Sequence, residues 1–312
     1  MFDPELLMFL KWIIGFLTAS TLTAFSIAKF ASKKVSTQTL SNLKSRITTW
    51  WMIVAIFILS TYLGRMGTIV LFAGVSFLAL REVFSLLKTR RSDYIVLVFS
   101  FLAVLPIQYI LVAMKWYGLF AIFIPVFIVS IIAIWKACAG DNEKFFESVA
   151  SIEWCLILCI YFVSHAPALL MLDLAGNVNE NFKLLWFFVL VVQINDVCQY
   201  IFGKLFGKTK LNKVSPNKTV EGLIGGLSCS TIIGFLLYWL TPFTNFEAAL
   251  MALIAGLAGT GGGLVLSAIK RDAGVKDYGT ILPGHGGIMD RFDSLCFAAP
   301  VFFHLTRYFF AG

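Results

Sequence analysis

About ten long apolar runs dominate this chain, near residues 6–28, 48–63, 66–87, 94–114, 116–138, 148–172, 183–205, 219–240, 246–268 and 291–310. A helix needs about 20 mostly apolar residues to cross the hydrocarbon core of a bilayer. Inside that core every backbone N–H and C=O must find a partner within the protein, which leaves only helices and closed barrels. The length of the runs selects helices. The sequence therefore predicts an all-α, polytopic transmembrane helix bundle of about ten segments. The run before Gly64-Arg65 is short, and a re-entrant hairpin there would leave the parity of the count unchanged.

Composition supports this reading. Hydrophobic residues make up 59% of the 312 residues and charged ones 13%, against about 25% charged in an ordinary soluble domain. No polar stretch is long enough to form a separate soluble domain. One continuous membrane domain is expected, with N-terminal helices over 1–180 and a motif-bearing region over 181–312. The net charge of +8 would raise nucleic acid as a partner in a soluble protein. Here the basic residues sit in short connections between apolar runs, where topology explains them, and no nucleic-acid partner is expected. The first connection holds Lys29, Lys33, Lys34, Lys44 and Arg46, and the third Arg81, Lys88, Arg90 and Arg91. The seventh holds Lys204, Lys208, Lys210, Lys213 and Lys218, and the ninth is the polar stretch 267–294. Alternate connections are nearly free of Lys and Arg, so the odd ones are expected to face the cytoplasm and both termini to face outward. The six cysteines form no C-x-x-C pair and read as small membrane-buried residues rather than zinc ligands or disulfides. Acidic Asp3 and Glu5 ahead of the first apolar run do not fit a cleavable signal.

Three polar clusters break the apolar background. In "QINDVCQYIFGK", Gln193, Asp196 and Tyr200 share one helical face, with Asn195 and Gln199 beside it. An aspartate at that depth marks either a functional site or a hydrogen bond to a neighbouring helix. In "KVSPNKTVEGLIGG", Ser215 is placed to cap a helix with Pro216 at its first position. Lys218 and Thr219 then add a cation and a hydroxyl near free N–H groups, a combination suited to phosphate. The glycines follow the lysine, so this is not a Walker loop. The third cluster is "SAIKRDAGVKDYGTILPGHGGIMDRFDS". Lys270, Arg271 and Lys276 supply positive charge there. Asp277, Asp290 and Asp293 supply hard oxygen ligands suited to Mg²⁺. Gly284, Gly286 and Gly287 around His285 permit close backbone approach to a ligand. His285 either moves protons or holds the turn. A merely solvated basic loop would need neither "PGHGG" nor "DRFD". His165 and His304 stand alone in helices and read as structural.

The ordered pattern Ser267-x-x-Lys270-Arg271, Lys276-Asp277, Pro283-x-His285-Gly286-Gly287 and Asp290-Arg291-x-Asp293 resembles the signature of the phosphatidate cytidylyltransferases, or CDP-diacylglycerol synthases. "SPNKTVEG" and "NDVCQYIFGKLFGK" resemble two further elements of that family, and together they cover roughly the last 120 residues. The resemblance implies an inner-membrane or organellar, dimer-forming helical enzyme with its active-site loops facing the cytoplasm. It would transfer CMP from CTP to phosphatidate, giving CDP-diacylglycerol and pyrophosphate. Mg²⁺ is implied, with a monovalent cation such as K⁺ beside it. Asp290, Lys270, Arg271, Asp277 and Asp293 would be catalytic. Ser215, Lys218, Thr219, His285, Gly286, Gly287 and Arg291 would bind substrate, and Asp290 with Asp196 or Asp277 would hold the metal. Three departures stand out: Asn217 replaces a lysine, Cys198-Gln199 replaces small or apolar residues, and Gly263 falls where the family carries a metal-binding aspartate. They point to a divergent branch. Related chemistry on a polyprenyl phosphate or polyprenol, a transporter using Asp196 as a relay, and a non-catalytic lipid-binding paralogue are the rival readings.

Overall fold

The computed structural model describes residues 4–30, 37–87, 90, 93–140, 143–174, 178–212, 214–281 and 286–311. Among the described residues, ten helical rods follow one another: α1 (Pro4–Phe30), α2 (Thr37–Tyr62), α3 (Gly64–Phe84), α4 (Tyr94–Ala113), α5 (Tyr117–Cys138), α6 (Phe145–Met171), α7 (Val178–Phe206), α8 (Val220–Leu236), α9 (Asn245–Asp272) and α10 (Met289–Phe310). Among the described residues, seven of them contain a window long and apolar enough to cross a membrane. α2 and α8 are shorter apolar helices. The expected multi-pass bundle is thus the architecture found. α4, α5 and α6 each contain one widened, π-type stretch, at Ser100–Val104, Phe123–Ile128 and Ile157–Phe162. Pro106, Pro125 and Pro167 lie within or just after these stretches, where a missing N–H and the ring's bulk disturb the regular ladder.

Outward-facing side chains are large and apolar, including Trp12, Phe16, Leu102 and Phe246, as a lipid-facing surface requires. Small residues and a few polar ones join the C-terminal helices. A Cβ on Gly226 of α8 would fall 2.4 Å from Gln199 Cγ, and one on Gly262 of α9 would fall 2.6 Å from Phe297 Cβ. Close backbone approach of this kind is how helices associate in lipid, where hydrophobic driving force is absent. Between α7 and α9, Asn195 Nδ2 donates to Gly256 O and Thr260 Oγ1, each at 3.3 Å. Gln199 Nε2 donates to Thr260 Oγ1 at 2.6 Å. These two residues of the first polar cluster therefore join helices, as the structural alternative for that cluster had it. Of the cysteines, Cys138 is exposed rather than buried, and all six are free.

The connections sort to two ends. At one end, Arg65 Nη2 donates to Val112 O and Ala113 O, and Lys115 pairs with Asp173. At the other end, Lys136 pairs with buried Asp93 and also hydrogen-bonds Ser148. Burial alone would raise the Asp93 carboxyl. The Lys136 hydrogen bond and the Arg90 backbone N–H outweigh burial and hold it below the usual carboxylate range. This second end also gathers the third, seventh and ninth connections, matching the odd–even division read from the basic residues. A cysteine placed at exposed Lys208 or Lys276, in a background lacking Cys138, should react with an impermeant maleimide from one membrane side. A cysteine at Lys115 should react only from the opposite side. Labelling of Lys208 and Lys276 positions from different sides would contradict this arrangement.

Glu82, near the C-terminal end of α3, ties the N-terminal half to α10. Its carboxylate is 5% exposed. It accepts N–H from Ile288 at 2.9 Å and from Met289 at 2.9 Å, which are among the orphan donors of the α10 start. Gly279 and Gly287 press against it; a Cβ at either would lie within 2.6 Å of a Glu82 oxygen. Glu82→Ala should orphan both donors at about 1–3 kcal/mol per buried group. A melting temperature lowered by several degrees in the same detergent is the expected result, with Glu82→Gln intermediate because one accepting oxygen remains. An unchanged melting temperature for Glu82→Ala would show that water replaces the carboxylate at no cost.

Candidate active site

The ninth connection is organised around Asp290. One carboxylate oxygen accepts from Lys270 Nζ at 2.7 Å, and the other accepts Tyr278 N at 2.8 Å and Gly287 N at 2.9 Å. The Lys270 and Asp290 side chains are 13% and 4% exposed, so this ion pair is sheltered from water. Lys270 comes from the last turn of α9 and Asp290 from the first turn of α10, so the pair closes the connection that joins the two helices. Tyr278 packs inside the loop. Its hydroxyl donates to Leu266 O at 2.9 Å, Lys270 Nζ lies 5.4 Å from its ring centre, and burial pushes its ionisation well above the ordinary tyrosine value. Gly286 has φ of 82°. A Cβ there would be strained and would lie 2.9 Å from Asp290 Oδ2, so this glycine is needed for the turn itself.

One helical turn further along α10, Asp293 and Ser294 face α7 and α9. Ser294 N donates to Asp293 Oδ1 at 2.8 Å. Asp196 of α7 is hydrogen-bonded to the Ser294 side chain and feels the charges of Asp293, Lys218 and Arg291. Lys218 reaches in from the seventh connection. Its Nζ lies 2.8 Å from the point a Cβ on Gly263 would occupy, and Asp293 Oδ2 lies 3.8 Å from that same point. Lys218 and Lys270 both act favourably on Asp293, while Asp290 repels it. Two carboxylates, a hydroxyl and two ammonium groups therefore converge from four separate helices and connections.

Other residues read from the sequence stand differently. Ser215 does not cap α8. Its N–H is taken by Asn212 Oδ1 and its C=O accepts Lys218 N, which makes a turn. The cap is Thr219, whose side chain accepts Gly222 N at 3.1 Å. The helix starts later than the Ser-Pro pair suggested because Thr219, which pairs with Lys210, has extended backbone (φ −122°, ψ 156°) and so lies outside the helix. Glu221 in the first turn of α8 accepts the N–H groups of Lys208 and Thr209 and so holds this hairpin-like loop to the helix. Gly287 N–H is spent on Asp290 and is not presented to a ligand. Arg271, Lys276 and Asp277 are exposed. Arg271 donates to Val275 O, and Asp277 lies beside Gly286 on the outer side of the turn. Arg291 is exposed next to Asp196. Tyr200 is 58% exposed. His285 lies outside the described residues. Glu82 and Ser294 escaped the sequence reading. Glu82 sits in an apolar run about 200 residues from its partners, and only the glycines it presses on, within the ninth connection, carry a trace of it.

The donor set is one of hard oxygens and ammonium groups. Among the described residues no group of three or more His, Cys, Asp or Glu is placed to hold a metal unaided. Asp196 and Asp293 together offer the one or two carboxylates with which Mg²⁺ is ordinarily held alongside substrate phosphates, and so they fit such an ion. Asp290 fits it less well, because both its oxygens already accept from protein donors.

Comparison with known proteins agrees with this chemistry. The profile of the cytidylyltransferase family matches residues 44–309. The uncharacterized protein YnbB of Escherichia coli (strain K12) is 41% identical over 268 residues, covering 84% of this chain and 87% of that protein. Phosphatidate cytidylyltransferases of Staphylococcus saprophyticus and of Staphylococcus aureus (strain COL) are 48% and 47% identical over 129 and 126 residues. Each of these two matches covers 39% of this chain and 48% of the relative, so the likeness spans about half of their length. With a match over most of its length and the expected motifs brought together at one end of a membrane bundle, the chain belongs to the cytidylyltransferase family and is a nucleotidyltransferase.

Proposed function

We propose that the chain transfers CMP from CTP to phosphatidate, giving CDP-diacylglycerol and pyrophosphate. The observation that carries this reading is the convergence of Asp196, Asp293, Ser294 and Lys218 beside the Lys270–Asp290 ion pair, at one end of a lipid-exposed bundle. A lipid phosphate is already a nucleophile, so no serine or cysteine is needed to make one. Its oxygen attacks the α-phosphorus of CTP, the bond to the β-phosphate oxygen breaks, and pyrophosphate leaves. The protein's part is positioning and charge neutralisation. Asp196 and Asp293 would hold Mg²⁺, which when bound supplies Lewis-acid polarisation of phosphoryl oxygens. Lys218 stands where it can neutralise the leaving pyrophosphate, and exposed Arg271 and Arg291 lie at the rim, where a lipid headgroup would arrive sideways from the bilayer. Lys270 and Asp290 shape the loop around the reacting groups. The basic residues of the odd connections support a reading in which this end faces the cytoplasm of an inner membrane, where CTP is available.

Purified protein given CTP, Mg²⁺ and phosphatidate should form CDP-diacylglycerol. Turnover with a polyprenyl phosphate and none with phosphatidate would move the reading to that lipid, and turnover with neither would overturn it. Two aspartates should part company in the same assay. Asp293→Asn should abolish turnover while leaving the melting temperature unchanged or raised, because a carboxylate repelled by Asp290 and held in a dry site is removed. Asp290→Asn should lower both, since it breaks a buried pair and leaves Lys270 uncompensated, at about 3–5 kcal/mol. Equal melting temperatures for the two variants would contradict these separate roles.

A further inference from the structure

Gly263 lies about two and a half turns inside the C-terminal end of α9. The Lys218 ammonium occupies the space a side chain would fill there, 2.8 Å from the missing Cβ. This differs from the packing glycines nearby. Gly262 meets the ring of Phe297 and Gly259 meets the backbone oxygen of Ser294, whereas Gly263 meets the charged tip of a long, flexible side chain. Lys218 is half-buried, and its charge acts favourably on both Asp196 and Asp293. The bundle thus holds a partly dehydrated cation against bare helix backbone, beside two carboxylates suited to a divalent ion.

We propose that Gly263 and Lys218 form one functional unit: the glycine opens the slot through which the lysine delivers a built-in counter-charge to the pyrophosphate portion of the nucleotide. This deepens the cytidylyltransferase reading and rests on it for the identity of the nucleotide. A polyanion entering the slot meets an ammonium already drawn inward by Asp196 and Asp293. The charge-assisted contact then forms with little further dehydration of the lysine. On this view the specificity-determining feature is the absence of a side chain at 263. Any Cβ there displaces the ammonium, and because the displaced atom ends a flexible stem, the helices need not move.

The test is pyrophosphate binding with Mg²⁺ and no lipid, followed by calorimetry on the detergent-solubilised full chain. Lys218→Met keeps the stem and removes the charge. Gly263→Ala keeps the lysine and fills the slot. Each should weaken binding about tenfold or more, and Gly263→Ala, which keeps the lysine charge, should melt close to the parent protein. The double variant should bind no more weakly than either single one, because both act on the same contact. Gly261→Ala on the same helix, where a Cβ would meet nothing within 4 Å, should bind as the parent does. Additive losses, unchanged binding in Gly263→Ala, or a parent protein that binds no pyrophosphate would overturn the inference. Formation of CDP-diacylglycerol from CTP and phosphatidate is scored separately. A chain that makes no CDP-lipid but shows the coupled loss of pyrophosphate binding would retain the slot and lose the assigned reaction.

Discussion

The first turn of α10 is where the structure gathers its charge. Helix starts leave N–H groups unsatisfied and carry partial positive charge. Here Gly287, Ile288 and Met289 give their N–H groups to two buried carboxylates, Asp290 from the helix itself and Glu82 from α3. Lys270 then balances Asp290. With those donors met, Tyr278 is held inside the connection and Asp293 and Ser294 are aimed at α7. Every other group of the site is placed relative to that turn.

Two kinds of carboxylate result, and chemistry separates them. Asp290 and Glu82 are saturated with protein donors and serve the backbone. Asp196 and Asp293 instead share Ser294 and the nearby charge of Lys218. The sequence alone treats all the acids in "DRFD" alike. Their roles part because three residues along a helix carries Asp293 nearly one turn away from the loop and into the seam between α7 and α9.

The fold was legible because a bilayer admits so few solutions: length and apolarity of the runs specified ten helices, and the bias of Lys and Arg sorted their connections to two ends. Within the site, Lys270, Asp290 and Asp293 could be grouped from the sequence because they share one connection. What escaped were contacts across long separations. Ser215 and Pro216 carry the usual marks of a helix start, yet the pairing of Lys210 with Thr219 overrides local preference and moves the cap to Thr219. Glu82 sits among apolar residues with nothing local to mark it. Gly263 could be noticed as a missing aspartate but not as a slot, because the side chain that fills it comes from another connection.

The bond between Glu82 and Ile288 also orders the making of the protein. Its partners are 206 residues apart. A ribosome adding about 5–20 residues per second takes on the order of 10–40 s to cover that distance. Throughout that interval the native partners of the Glu82 carboxylate do not exist. Its place at the C-terminal end of α3 lets it stay at the wet interface until α10 arrives. Docking of α10 is then the step that dries this carboxylate. A chain cut short before α10 would leave that acid at the membrane surface without these two N–H partners.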